Sequence, residues 1–351
     1  MGDFETVTLT EWYNGQVFND KRLPIVDIRE IRHDGALMTD DTDVVVVHLA
    51  LSTLLSGERS CELPPRHVSF AVLTDEAVLE AARTFFGATT SKATQQSRKP
   101  WLVPQVLISN ENLWKEASKL GILLTEKEKS EENAAFKPQP RLWQPDPMVK
   151  NVLWPLLRNQ SFSTLTPPPH SKEICDLGSG AGRDVCFLAE QAKASNMDCY
   201  KFVGIDNHKG SMKRCLPFWK HRQVEEYTEA RNLNLNKVAQ VQDEWKNCNV
   251  ACLYAVRFWN VKLVTCIAND EMLLPGTLFA LSHFCKPYSG APWDFDHPKA
   301  LLHVPQEKSV LERDELKTLF EDTKRWQILH NELAKDGDHG RTLIRFVAKR
   351  L

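Results

Sequence analysis

Seven consecutive residues carry the sharpest chemical signal in the chain: Asp176-Leu177-Gly178-Ser179-Gly180-Ala181-Gly182. Three glycines at alternate positions make a turn that a ligand can approach closely, because no Cβ stands in the way. The spacing discriminates between ligands. A dinucleotide loop reads Gly-x-Gly-x-x-Gly, which from Gly178 requires glycine at position 183, where this chain has Arg183. The acid lies two residues before the first glycine. A carboxylate there repels a pyrophosphate and can pair with an ammonium group. S-adenosylmethionine (SAM) carries both a sulfonium and an amino-acid ammonium, so the acid suits it. The alternative is an ordinary tight turn.

A second acid, Asp206, ends the run Tyr200-Lys201-Phe202-Val203-Gly204-Ile205-Asp206-Asn207. At the tip of a second strand it can accept hydrogen bonds from both ribose hydroxyls of a nucleoside. Its other reading is an N-cap for a helix over 209–219. The candidate cofactor-binding set is therefore Asp176, Gly178, Ser179, Gly180, Gly182, Asp206 and Asn207, completed by Asn232 from a third strand.

These residues need a scaffold that brings strand ends together. Residues 173–177 read as a strand, and 183–194 as a helix with Val185, Leu188, Ala189 and Ala192 on one face. This is the first strand–loop–helix of a doubly wound fold, which binds ligands at the carboxyl ends of its strands. The third strand is either 227–235, with Asn232 facing the adenine, or 238–242, with Asp243 in that role. The first is preferred, because it leaves 237–246 as the helix before a fourth strand at 250–258. A helix over 261–274, a fifth strand at 277–284 and a helix over 311–320 follow. Residues 326–332 and 342–349 read as a closing antiparallel pair. Arg257 and His283 fall at the tips of strands four and five, where a substrate would lie. His283 is a candidate base or a buried histidine satisfied by backbone. Arg257 orients an acidic substrate or forms a structural ion pair. Trp143 and Trp259 wall the pocket or pack in the core.

The rest of the chain reads as a separate α/β unit over residues 7–124. Short apolar runs at 23–28, 44–49, 68–73 and 103–108 read as buried parallel strands. Helices are expected over 75–86, stopped by Gly87, and over 110–120, capped by Ser109. Residues 88–100 are polar and read as a surface loop. The charge run of 125–132, with Lys137-Pro138-Gln139-Pro140 after it, reads as a linker over 125–140, or as an exposed helix end on a continuous domain. The second domain then covers 141–351.

Composition narrows the function classes. With 42% hydrophobic and 26% charged residues the chain is too apolar for a disordered protein. The net charge of −2 gives no global basic field that would mark a nucleic-acid protein, although a local patch is compatible with it. No apolar run reaches 18 residues, so no membrane span is expected. Gly2 formally fits a myristoylation pattern, but Asp3 and Glu5 follow it and no polybasic second signal does. Of nine cysteines, eight lie between Cys175 and Cys285, with no Cys-x-x-Cys pair. They read as reduced thiols of a cytoplasmic or nuclear protein, with no metal site.

Residues 174–351 resemble a class I SAM-dependent methyltransferase of the tellurite-resistance and thiopurine type. The matching residues are Asp-Leu-Gly-Ser-Gly-Ala-Gly-Arg-Asp at 176–184 and Gly-Ile-Asp-Asn at 204–207, then Arg257-Phe258, Leu274-Pro275-Gly276, His283-Phe284 and Gly340-Arg341-Thr342. Residues 7–124 resemble a rhodanese-like domain through Asp27-Ile28-Arg29 and Leu63-Pro64-Pro65-Arg66. Arg141-Leu142-Trp143-Gln144-Pro145 is similar to the junction of rhodanese–methyltransferase fusions. A working rhodanese needs a cysteine just after the strand ending at Leu73. This chain has Thr74-Asp75-Glu76 there, and Cys61 lies before that strand, so no sulfur transfer is expected.

The resemblance implies a Rossmann-like, seven-stranded methyltransferase domain behind an inactive rhodanese-like α/β domain. It implies SAM as cofactor and a small-molecule methyl acceptor, with a protein or RNA acceptor as the alternative. Asn-Pro-Pro-Tyr-type and Pro-Cys motifs are absent, which argues against DNA base methylation. Two other classes remain: a methyltransferase-like scaffold that binds without turnover, and a nucleotide-dependent oxidoreductase, which Arg183 disfavours.

Overall fold

The computed structural model describes residues 5–14, 23–30, 36–37, 45–64, 68–87, 101, 103, 105–120, 122–124, 136, 138–159, 170–246, 248–288, 309–335 and 341–351. The expected loop at 88–100, the charge run at 125–132, Pro65, Arg66 and Gly340 lie outside these residues. The chain divides into two compact units, 1–144 and 145–351. Residues 141–144, expected in the second domain, thus belong to the first. Leu142 packs into that unit's core beside Phe70 and Phe86.

The first unit is built on a five-stranded parallel sheet. Its strands are β1 (Glu5–Thr6), β2 (Ile25–Asp27), β4 (Val46–His48), β5 (Ala71–Thr74) and β6 (Gln105–Ile108). Their order is β1-β6-β5-β2-β4. A two-residue pair, β3 (Ala36–Leu37) with β7 (Leu123–Leu124), lies apart. Strand side chains point to alternate faces, so two cores form. Val26, Val72 and Val106 meet Leu54 of α2 (Leu51–Ser56) and Phe86 of α3 (Leu79–Phe86). Ile25, Leu73 and Leu107 meet Trp12 of α1 (Leu9–Asn14) and Leu113 of α4 (Glu111–Lys119). The cap of α4 is Asn110 rather than Ser109: its side chain accepts from the Leu113 N–H at 2.9 Å.

The second unit opens with a π-helical turn (Val149–Leu153) running into α5 (Trp154–Arg158). It then alternates β8 (Lys172–Leu177), α6 (Arg183–Ala194), β9 (Tyr200–Asp206), α7 (Lys209–His221), β10 (Thr228–Asn232), α8 (Val238–Lys246), β11 (Val250–Val256), α9 (Val261–Asn269) and β12 (Leu278–Phe284). Helix α10 (Glu315–Asp322) and the strands β13 (Trp326–Lys335) and β14 (Thr342–Arg350) close it. The sheet order is β10-β9-β8-β11-β12-β14-β13, parallel except for β14, which runs antiparallel to both its neighbours. The order reverses direction between β8 and β11, the switch point at which such sheets bind ligands. On one face Leu177, Ile205, Leu253, Phe279 and Phe346 pack against Trp245 of α8, Ile267 of α9 and Phe320 of α10.

Two expected helices are shorter or shifted. The helix over 261–274 ends at Asn269, because the buried Asp270 turns away to accept from Trp245 Nε1 at 3.0 Å. The helix over 311–320 begins at Glu315, because Leu311 bridges to Cys285 in extended conformation.

Candidate functional site

The glycine turn sits at the carboxyl end of β8 in the strand–loop–helix setting that the sequence predicts. Gly178, Gly180 and Gly182 all adopt left-handed backbone, with φ of 85°, 54° and 69°. Two of them are forced by packing as well. A Cβ on Gly178 would lie 2.7 Å from the Phe258 ring, and one on Gly182 would lie 2.6 Å from Trp219. A Cβ on Gly180 would meet nothing, so this glycine faces open space. Trp219 is a site residue that the sequence reading missed. Its indole fills the hollow at Gly182, and its Nε1 donates to the Gly182 carbonyl at 3.0 Å. The nearby Gly204 on β9 was the available signal, since its missing side chain leaves room for both Trp219 and Ser179.

The amides of this turn are spent inside the protein. Gly178 and Ser179 N–H donate to the Ile205 carbonyl, at 2.9 and 3.1 Å, and Gly182 N–H donates to the Ser179 carbonyl at 2.9 Å. Gly180 N–H donates to Asp206 Oδ2 at 2.9 Å. A phosphate-binding turn aims such N–H groups at the ligand. Here four of them already have partners, so the turn is not built as an anion cradle.

Asp206 therefore does two jobs within the chain. Its Oδ2 holds the turn, and its Oδ1 accepts from the His208 N–H at 2.7 Å. It is not the helix cap, because His208 caps α7 by accepting from the Ser211 N–H at 3.1 Å. Each carboxylate oxygen keeps a second lone pair for a ligand. Asn207 is exposed beside it. Asn232 pairs in register with Asp206 across β9 and β10 and is exposed at the same edge. Asp243 is elsewhere, on α8, paired with Lys246 at 2.8 Å.

Beneath the turn the structure gathers acids that the sequence does not reveal as a group. Asp176 is 3% exposed. Burial pushes its carboxyl well above the usual range, and the charges of Asp184, Asp206 and Asp146 add to this, opposed by the Tyr254 hydroxyl beside it. Burial and Asp146 push Asp184 up to about 7. Asp146 is also raised by burial, despite the Met148 N–H on Oδ1 at 2.8 Å and the Ser282 hydroxyl on Oδ2 at 3.1 Å. Its backbone N–H donates to Asp184 Oδ1 at 2.8 Å. Asp176 is thus buried and Asp146 and Asp184 are half-buried, with backbone and hydroxyl donors holding Asp146 to Asp184 and Ser282. The charges of Arg257 and Arg345 at Asp146, and of Arg183 and Arg257 at Asp184, offset part of this, while at Asp176 the neighbouring charges are acids.

Of the two candidate catalytic residues, Arg257 lies near enough to Asp146 and Asp184 for its charge to act on both, while His283 does not face them. Ser282 faces Asp146, so the next residue, His283, points to the opposite face of the sheet. It is 3% exposed and stacks on Trp259, with ring centroids 6.3 Å apart. Its Nε2 lies 2.6 Å from the Ser309 carbonyl. A carbonyl only accepts, so Nε2 carries the proton and Nδ1 the lone pair. Burial lowers this imidazole to about 4, helped by the charge of Arg257, so it is neutral at pH 7. Nδ1 is buried without a hydrogen-bond partner among the described residues. Arg257 is exposed with a left-handed φ of 55°, and its guanidinium lies 5.9 Å from the centre of the Phe284 ring. Trp143 belongs to the first unit, where Arg141 lies over its ring at 5.5 Å.

In the first unit the Asp27-Ile28-Arg29 motif forms a buried clip. Arg29 Nε and Nη2 donate to the two Asp27 oxygens at 2.9 and 2.8 Å, and its guanidinium lies 4.7 Å from the centre of the Trp114 ring. After β5 the chain continues through Asp75 into a 3-10 turn at Glu76–Val78, with no cysteine. Cys61 is buried in a separate 3-10 turn, Ser60–Glu62.

No protein-family model matches the chain, and no curated protein matches it. Among solved structures, a SAM-dependent methyltransferase from Methanosarcina mazei is 15% identical, covering 56% of this chain and 97% of its own, at a TM-score of 0.38. A SAM-dependent methyltransferase from Aquifex aeolicus is 12% identical, covering 59% and 94%, at 0.36. Geranyl diphosphate methyltransferase with geranyl diphosphate and sinefungin is 11% identical, covering 53% and 73%, at 0.34. Likeness this distant decides nothing about chemistry, which has to be read from the residues. Among the described residues no helix is long and apolar enough to cross a membrane, and no cluster of three or more His, Cys, Asp or Glu could hold a metal ion.

Proposed function

We propose that the second unit is a class I methyltransferase domain that binds SAM at the glycine turn and transfers its methyl group to an acceptor. One observation carries the reading: a turn with four of its amides bonded within the protein lies beside the buried carboxyl of Asp176, on which the charges of three further acids act. A pyrophosphate would meet negative charge and few donors there. The ammonium and sulfonium of SAM would meet the charge they need. The residues fit the group. Asp176 would take the ammonium, Gly180 leaves room for close approach, and Asp206 and Asn232 would hold the ribose and adenine.

Bound SAM supplies an electrophilic methyl on a good, neutral leaving group, so the protein has no developing anion to stabilise. Positioning is then the main task, worth up to roughly 7–11 kcal/mol in favourable cases. Arg257 would orient the acceptor. His283, with Nδ1 buried on the face opposite Ser282 and Asp146, takes no proton-transfer role. The second reading is a scaffold that binds SAM without turnover.

Titration calorimetry with SAM, S-adenosylhomocysteine and NAD tests this. The adenosyl compounds should bind and NAD should not. Preference for NAD would reverse the assignment of the turn. Binding of SAM without methyl loss on any acceptor would favour the scaffold.

The first unit is read as a rhodanese-like module that binds or regulates and does not transfer sulfur. Thiosulfate and cyanide should yield no thiocyanate, and enzymatic thiocyanate formation would overturn this.

A further inference from the structure

The seven-stranded sheet has a second hollow at the edge opposite the glycine turn. Strands β8, β11 and β12 are parallel, so their first residues, Lys172, Val250 and Leu278, share that edge. They line a cavity of about 750 Å³ together with Gln327 of β13 and Lys349 of β14. Helix α5 adds Leu156, and the turn before β12 adds Leu274. Strands of six or seven residues separate the cavity from the glycine turn, a distance of about 20 Å. Small-molecule sites occupy about 300–1,000 Å³, and this cavity falls within that range.

Two features distinguish it from a dent in a solvated surface. The first lies in the backbone. Among the described residues the ladders of this sheet slip register at two places, Ala251 opposite β8 and Leu329 opposite β14. Both residues line the cavity. A bulge re-aims side chains, and bulges gather beside functional sites. Leu278, Lys349 and Gln327 pair directly across β12, β14 and β13, so their side chains share one face. The second feature is chemical. Leu274 and Leu329 are 57% and 37% exposed, apolar surface that a ligand would remove from water. Lys172 and Lys349 bring ammonium groups to the same cavity, and no acid stands among its described lining residues.

We propose that this cavity binds an elongated organic anion, its apolar body along the leucines and its carboxylate or phosphate at the lysines. The two halves of the lining each exclude a class. Inorganic phosphate would leave the leucines wet. An uncharged hydrocarbon would desolvate ammonium groups without giving them a partner. A cationic amphiphile would meet like charge. From β8 to β13 the cavity floor crosses four inter-strand gaps, about 19 Å, so an extended body suits its long axis. The site stands apart from the methyltransferase reading, because none of its residues belongs to the glycine turn.

The test is titration calorimetry of the full chain with sodium decanoate, decyl phosphate and decyltrimethylammonium. At least one of the anions should bind one to one, the tighter of them identifying the head group, and the cation should not bind. Leu329→Glu puts an acid into the cavity and Lys349→Gln removes a cation; each should weaken anion binding by about tenfold or more. Both positions are exposed, so both variants should melt close to the parent. Leu55→Glu, at an exposed leucine of the first unit, should leave binding unchanged. Four results overturn the proposal: neither anion binding at millimolar concentration, the cation binding as tightly, either cavity variant binding as the parent does, or Leu55→Glu weakening binding as much as the cavity variants do. S-adenosylhomocysteine titrated into the decanoate complex keeps the two readings apart. Displacement of decanoate would move the anion to the glycine turn and overturn the cavity site. Failure of the adenosyl compound to bind at all would sink the cofactor reading alone.

Discussion

Asp176→Asn is expected to raise the melting temperature while costing at least about a hundredfold in SAM affinity. The two effects have one cause. In the ligand-free protein Asp176 is buried among Asp184, Asp206 and Asp146, and burial and those charges oppose its ionisation. Asparagine keeps the shape and removes the charge, so the folded state gains. In the complex the same charge would face a buried ammonium. Removing one partner of a buried pair costs about 3–5 kcal/mol, and every 1.4 kcal/mol is tenfold in affinity.

The pH dependence follows with the same sign. The folded chain holds a proton on Asp184 up to about pH 7 that the unfolded chain has already lost near 3.8. Stability of the ligand-free protein therefore falls as pH rises from about 4 to 7. A bound cation favours the ionised acids, so SAM binding should release protons and tighten as pH rises through 7. Calorimetry in buffers of different ionisation enthalpy measures that release, and scanning calorimetry measures the stability. A Asp176→Asn protein that melts lower and binds SAM as the parent does would remove the acids from the site.

The alternating strands and helices of the second unit were legible because periodicity and glycine punctuation act over short distances. Helix α6 was read over the same residues that form it, since Gly182 starts it and its apolar spacing is regular. The choice between Asn232 and Asp243 as strand residue came out through what must follow: a helix is needed before β11, and α8 supplies it. The acid group was not legible. Asp146 precedes Asp176 by 30 residues, Ser282 follows it by 106, and nothing local in any of those stretches announces that they meet. Asp184 closes the glycine motif at 176–184, and the motif says nothing of Asp146 beside it. His283 read as a base or a core residue. Only its 2.6 Å contact with the Ser309 carbonyl assigns the proton to Nε2. In the first unit β1 and α1 went unseen, because a two-residue strand and a six-residue helix are too short for any periodic signal.

The largest stability loss should come from Arg222→Met. Arg222 follows α7 and is 1% exposed, and it donates through Nε to Glu190 Oε1 on α6 at 2.7 Å, with Glu190 fully buried. The pair ties together the two helices that hold the glycine turn: α6 begins at that turn, and α7 carries Trp219 into the hollow at Gly182. Methionine fills much of the arginine's volume but leaves Glu190 as a buried, poorly compensated acid. Breaking such a pair costs about 3–5 kcal/mol. For a unit of this size each kcal/mol moves the melting temperature by about 2–4 °C, so a drop of roughly 6–20 °C is expected. The double variant Glu190→Leu, Arg222→Met should recover most of that loss, because an apolar pair of similar volume has no charge to desolvate. Recovery would assign the damage to the stranded carboxylate. A double variant as unstable as the single would assign it to lost shape, and a single variant melting within about 2 °C of the parent would show that the pair contributes no more than an exposed one does.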